Sequence, residues 1–283
     1  VSDAMSHPRI LELPRDENEL ATSTPAIRRI KQLLPAFLDD MATTADADGF
    51  VVTIDGAPES AVAATMAAEA LGPDRVTGLV MPAQLTDEAP ARDAEAVASS
   101  LGIEHHRLQL RPLFAAFQEI IGTTGEPADD LVAMHNAGAR FRMACAYYVA
   151  NTRNRLVVGT VNRTDRLLGS VAKYGENGVD VSLLGDLYRT EVLALARDLG
   201  VPEGVRSRSS RYHGRATPSD AEQLGIDQTT LDSLLRLTVD EGDPPEVVAD
   251  RLDIDTSVVR RVKTWCAATR HKRHSPPKPS MGT

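Results

Sequence analysis

Ile27, Ile30, Leu33, Leu34, Phe37 and Leu38 recur at the spacings of one helical face and predict a packing helix over 26–41. From Gly49 the pattern changes. Apolar runs at 50–54 and 76–81 read as buried strands, each followed by a helical stretch, 60–71 and 91–101. Further strands are predicted at 105–110 and 156–158, with helices at 114–121 and 132–150 between them. Strands alternating with helices predict an α/β protein, a parallel sheet of about five strands covered by helices on both faces. The amphipathic stretch 187–199 is another helix, stopped by Gly200 and Pro202.

After that helix the character of the chain shifts. Residues 201–218 are rich in Arg, Ser, Gly and Pro and read as a long mobile loop, followed by short helices over 219–279 and a tail at 280–283. Residues 1–24 are polar and irregular and are expected to be flexible, which leaves a single domain over 25–279. No internal repeat or heptad array interrupts this organisation.

Composition narrows the function classes. The 42% hydrophobic content is ample for a core, and 40 acidic against 31 basic residues disfavour a general polyanion-binding surface. The acidic, aromatic-poor balance is also what salt-adapted proteins show. Only Cys145 and Cys266 occur, and no apolar run is long enough to span a bilayer, so a cytoplasmic protein without membrane contact is expected. Cys145 lies in an apolar helical stretch and reads as a small core residue. His105 and His106 alternate across a strand and point oppositely, so they form no compact metal pair.

Ligands of parallel sheets collect beyond the carboxyl ends of strands, which draws attention to the loop from Thr53 to Ser60. Gly56, Ala57 and Ser60 suit a phosphate cradle at a helix N-terminus, whereas Pro58 removes a donor and Asp55 adds a negative charge. On residues alone this is a turn with a helix cap.

The next segments are more distinctive. They read Gly159-Thr160-Val161-Asn162-Arg163-Thr164-Asp165, then Lys173-Tyr174-Gly175-Glu176-Asn177-Gly178-Val179-Asp180, then Gly185-Asp186-Leu187-Tyr188-Arg189-Thr190-Glu191. This succession resembles the NAD synthases, whose motifs run GT.NR(S/T)E, KYGDG..D and GDLYKT(E/Q)V. Similarity extends to NAGARFRM at 136–143, to 222–227, and to His271-Lys272-Arg273 with Pro276-Pro277, so that it spans about 26–279. The resemblance implies an adenine-nucleotide alpha-hydrolase type of sheet, a three-layer Rossmann-like fold with a small C-terminal helical segment. It implies that ATP adenylates the nicotinate carboxylate of deamido-NAD, that ammonia from solution displaces AMP, and that the protein is a homodimer.

Carried over position by position, the resemblance assigns ATP and phosphate contacts to Gly56, Ala57, Ser60, Arg189, Ser209 and Ser210. It assigns the dinucleotide substrate to Arg140, Lys173, Tyr174, Asp180, His271 and Lys272, and Mg2+ to Glu59 and Asp165. Departures concentrate in the first loop. Where the family has SGG.DS, this chain has Asp55, Gly56, Ala57, Pro58, Glu59 and Ser60. The metal-binding Asp has lengthened to Glu59 while the second metal carboxylate has shortened to Asp165, an exchange that keeps a cation possible after a shift of about one methylene. A carboxylate at position 55 opposes a leaving pyrophosphate at short range, unless it turns away to cap the helix. The family's phosphate-contacting Lys is Arg189, and Arg206, Arg208, Arg211 and Arg215 offer further cations in the loop beyond.

Three functions follow: a working NAD synthase with an altered loop, a member that has lost catalysis and keeps nucleotide binding or a partner role, and a DNA-binding module. The last rests on helix-turn-helix spacing over 245–260 and has few base-reading side chains beyond Arg260 and Arg261, so nucleic acid is not expected as a partner.

Overall fold

The computed structural model describes residues 13–83, 87–127, 129–208 and 219–279. Five parallel strands, β1 (Gly49–Thr53), β2 (Val76–Val80), β3 (Glu104–Arg107), β4 (Arg155–Gly159) and β5 (Val181–Ser182), form one sheet in the order β3-β2-β1-β4-β5. The order reverses between β1 and β4, and adjoining strand ends there open a crevice.

Alternation along β1 separates the two faces. Phe50 and Val52 join Val76, Val80 and Val158 against α1 (Thr24–Thr44), α2 (Pro58–Leu71), α3 (Glu88–Ser100) and α7 (Arg189–Asp198). Val51, Leu79 and Val157 face the other way, onto Met143, Ala146 and Ala150 of α5 (Leu131–Thr152). Beside α5 lies α4 (Arg111–Gly122), where Phe114 and Phe117 each meet the ring of Phe141 edge-on. The expected three layers are present. Strand β3 ends earlier than its apolar pattern suggests, because the Leu110 N–H donates to the Pro82 carbonyl and turns the chain into α4. Two-residue β5 carries no periodicity and is the strand that sequence reading missed.

A second apolar cluster gathers the C-terminal helices. Leu231, Leu234 and Leu235 of α10 (Gln228–Leu235) pack with Val248 of α11 (Pro245–Leu252) and Val259, Val262 and Cys266 of α12 (Thr256–Ala268). Leu167 and Leu168 of α6 (Arg163–Leu168), Tyr188, and Ala221 and Leu224 of α9 (Asp220–Leu224) complete it. The pair α11–α12 thus spends its apolar face inside the protein. Its arginines are engaged as well, Arg260 with Glu246 at 2.6 Å and Arg261 on the Gln223 carbonyl.

Residues 13–23 differ from the flexible segment expected there. Leu20 and Ala21 are fully buried, the Ala21 N–H donates to Glu191 at 2.7 Å, and Ser233 donates to the Asn18 carbonyl. The loop at 201–208 includes a short helix, α8 (Glu203–Arg206). No helix among the described residues is long and apolar enough to cross a membrane.

Candidate active site

A cavity of about 880 Å³ lies at the carboxyl ends of β1, β2 and β4. Thr53 to Ala57, Glu59, Val158 to Val161 and Asp165 form its floor, and Met134, His135, Ala139 and Arg142 of α5 form one wall. Ser170, Val171, Glu176 and Arg208 close another side.

The first loop is folded on itself. The Ala57 N–H donates to Asp55 Oδ1 at 3.0 Å, the Asp55 N–H donates to Ser60 Oγ at 3.3 Å, and Ser60 Oγ lies 2.7 Å from Asp55 Oδ1. Asp55 therefore closes the turn that precedes α2, binding the Ala57 N–H and the Ser60 hydroxyl, while no side chain caps the helix itself. Gly56 has φ +83°, and a Cβ there would lie 2.4 Å from the Pro90 carbonyl oxygen, so only glycine fits. Pro58 stands in the first turn of α2, where its missing N–H costs the helix nothing.

Below this loop three charged side chains and an amide interlock. Asn162, fully buried, donates through Nδ2 to Glu59 Oε1 at 3.1 Å and to Asp165 Oδ2 at 3.0 Å. Its Oδ1 accepts the Asp165 N–H at 2.9 Å, which caps α6 and fixes the amide's orientation. Arg189 Nη1 lies 3.2 Å from Glu59 Oε1. Burial pushes the Asp165 carboxyl up to about 7, while Arg189 pulls it down and Glu59 pushes it further up. Asp165 meets solvent only across the cavity and is otherwise enclosed by protein, which is why burial dominates.

Two further clusters hold this arrangement. Fully buried Asp232 accepts from Thr164 Oγ1 at 2.7 Å, from the Thr190 N–H at 2.8 Å, from Thr190 Oγ1 at 2.6 Å and from Gln228 at 3.0 Å. Thr164 also accepts the Arg189 N–H, so one carboxylate aligns the starts of α6 and α7. Asp240, in a π-helical turn after α10, accepts from Arg163 Nε at 2.9 Å and from the Tyr188 hydroxyl at 2.6 Å.

Residues 30–276 match the family model for NAD synthase. The chain belongs to the NAD synthase family. It is similar to the NH(3)-dependent NAD(+) synthetase of Halobacterium salinarum, 36% identical over 261 residues that cover 92% of this chain and 96% of the relative. The synthetase of the same name from Methanosarcina mazei is 38% identical over 246 residues, 87% of this chain and 95% of the relative. A solved NMN synthetase from Francisella tularensis superposes with a TM-score of 0.75 at 27% identity, covering 90% of this chain and 99% of that one.

The NAD synthase motifs distribute unevenly around the cavity. Gly56, Ala57, Glu59 and Asp165 line it, whereas Ser60 lies beneath the loop and Arg189 sits behind Glu59. Ser209 and Ser210 are outside the described residues. None of the residues assigned to the dinucleotide is among the cavity-lining side chains, and of the six only Arg140, Lys173 and Tyr174 contact one another. Arg140 Nε donates to the Lys173 carbonyl, and the Lys173 ammonium lies 5.1 Å from the centroid of the exposed Tyr174 ring. Asp180 accepts from the Val157 N–H and the Tyr147 hydroxyl, and burial with Asp180 beside it pushes that phenol up to about 12. Lys272 donates to the carbonyls of Gly169 and Val171 and so braces the cavity wall from outside, while exposed His271 stays on its own helix end. Burial lowers the Lys272 ammonium, opposed by Glu176.

Sequence reading passed over Asn162, Arg111, Arg142 and Glu176 as site residues. Asn162 was legible as the residue between a strand end and a helix start, the position whose side chain caps the helix. Arg111 and Arg142 lie in helices whose apolar pattern masks which turn meets the cavity.

Proposed function

We propose that the chain is an ammonia-dependent NAD synthase, a ligase that forms a C–N bond, with the adenylation centred on the cavity at the ends of β1 and β4. One observation carries this reading: segments from the first loop, from 158–165 and from 170–176, all matched to the family, meet around that one cavity. A nicotinate carboxylate oxygen attacks the α-phosphorus of ATP and pyrophosphate leaves. Ammonia then attacks the acyl carbon, loses a proton, and AMP departs with the carboxylate oxygen.

Residue roles follow from placement. Arg111 and Arg142 on the cavity wall supply positive charge for phosphates, Arg142 held by its Nε donation to the Met81 carbonyl, and Arg208 beside them is paired with Asp93. Val171, Val179, Met143 and Phe114 give the cavity apolar lining that keeps an acyl adenylate from water. Lys173, Tyr174, Asp180, Arg140, His271 and Lys272 are the proposed dinucleotide contacts. Mg2+, expected on Glu59 and Asp165, does not fit the described arrangement: Glu59 is paired with Arg189, and Asn162 presents N–H groups to both carboxylates.

We also propose a homodimer. Helix α4 buries none of its residues, and Leu113, Ile120, Leu131, Val132 and Tyr148 of α4 and α5 are exposed, an apolar surface that a second copy would cover. The cysteine thiols, both free and both raised by burial, suit a reducing cytoplasm. Purified protein given deamido-NAD, ATP with Mg2+, and ammonium, at low and high salt, tests the function. NAD should form only with all three substrates, and folded protein that makes none at either salt concentration would overturn the reading.

A further inference from the structure

A divalent ion held by two carboxylates needs lone pairs that converge on an open point. Between Glu59 and Asp165 stands the Asn162 amide, whose two N–H groups are donated to Glu59 Oε1 at 3.1 Å and to Asp165 Oδ2 at 3.0 Å, which occupies one oxygen of each carboxylate. The amide cannot turn its oxygen inward without losing the bond from the Asp165 N–H. The same Glu59 Oε1 has a second partner in Arg189, whose side chain is only 11% exposed and stands behind the cavity wall. A guanidinium is permanently charged, and this one is fixed at both ends, since its backbone N–H is on Thr164 and Nη2 donates to the Arg208 carbonyl.

We infer that the Arg189 guanidinium is the resident cation of this site, so that the nucleotide-free protein holds no divalent ion on Glu59 and Asp165. Arginine at this position does what a lysine could not do as well. Its planar fork reaches Glu59 and the Arg208 carbonyl together, and it cannot lose its proton when buried. One fixed positive charge cancels half of the charge of the two carboxylates and weakens their attraction for a dication, and one oxygen of each already accepts from Asn162. Any Mg2+ in the reaction then arrives as the counter-ion of ATP.

The inference stands on geometry and is tested without turnover. Mn2+ alone, followed by calorimetry and by the resonance signal of the free ion, is titrated into nucleotide-free wild-type protein, Arg189→Met, and Arg189→Met with Glu59→Gln. Wild type should show no site tighter than millimolar. Arg189→Met, relieved of the competing charge, should bind one Mn2+ at least about tenfold more tightly, and the double variant should lose it. Where Arg189→Met does not fold, Arg189→Gln, uncharged but able to hydrogen-bond Glu59, is read in its place. Stoichiometric micromolar Mn2+ on wild type, abolished by Glu59→Gln, overturns the inference by itself. So does a folded, uncharged variant at position 189 with no gain in Mn2+ affinity.

Discussion

At the scale of single residues, Asp55 is the departure that chemistry makes most conspicuous. A carboxylate about 4 Å from a phosphate would cost roughly 4 kcal/mol at an effective dielectric constant near 20. Asp55 stays exposed on the cavity floor, but its Oδ1 is engaged within its own loop, accepting from the Ala57 N–H and facing the Ser60 hydroxyl. Asp55→Ser should therefore leave pyrophosphate release at saturating ATP unchanged within about twofold and lower stability by about 1 kcal/mol, the net worth of a lost hydrogen bond. A many-fold gain in pyrophosphate release would show that Asp55 faces the ligand. Gly56→Ala should cost more, about 2 kcal/mol by urea unfolding, because a methyl group meets the Pro90 carbonyl and the backbone has positive φ. What the sequence could not disclose at this scale was direction: Glu59, Asp165 and Arg189 are legible as charged motif positions, but whether their charges face the cavity or one another depends on the buried Asn162 between them.

Among elements, the starts of α6 and α7 matter most, since they carry Asp165 and Arg189. Asp232, about 40 residues further along the chain, aligns both through Thr164 and Thr190. Asp232→Ala should destabilise by about 3 kcal/mol in chemical denaturation, because it strands several buried donors at once. A loss below about 1 kcal/mol would mean that the helix starts are held by packing alone. The sheet edge offers a pH test. The Arg153 hydrogen bond holds Glu104 down to about 2 from an ordinary 4.5, with burial opposing and His106 assisting. Because the folded value is depressed, the stabilisation is present above about 4.5 and fades as pH falls toward 2. Glu104 is 45% exposed, so screening limits the pair to well under 1 kcal/mol. Glu104→Gln should thus lower the thermal midpoint slightly at pH 7 and not at pH 2, and a loss equal at both would assign the effect to packing. The long strands and helices were legible because burial on one or both faces imposes a period; β5 and α6, too short to show one, were visible only as motif residues.

For the whole molecule, the reversal of strand order between β1 and β4 sets the cavity, and the C-terminal helices close around the motif segments through Tyr188, Leu167 and Leu168. The proposed dimer belongs to this scale: Ile120→Glu with Tyr148→Glu should convert a dimer to monomers in sedimentation, and a wild type that is already monomeric at micromolar concentration would remove the second copy from the account. The central claim is that this cavity joins a carboxylate to ATP and then to ammonia. It is tested most directly with deamido-NAD carrying heavy oxygen in its nicotinate carboxylate, with ATP, Mg2+ and ammonium, reading the products by mass spectrometry. The expected result is NAD and AMP in equal amounts, with one heavy oxygen transferred to each AMP; NAD formed alongside unlabelled AMP, or ATP cleaved with no NAD, would contradict it.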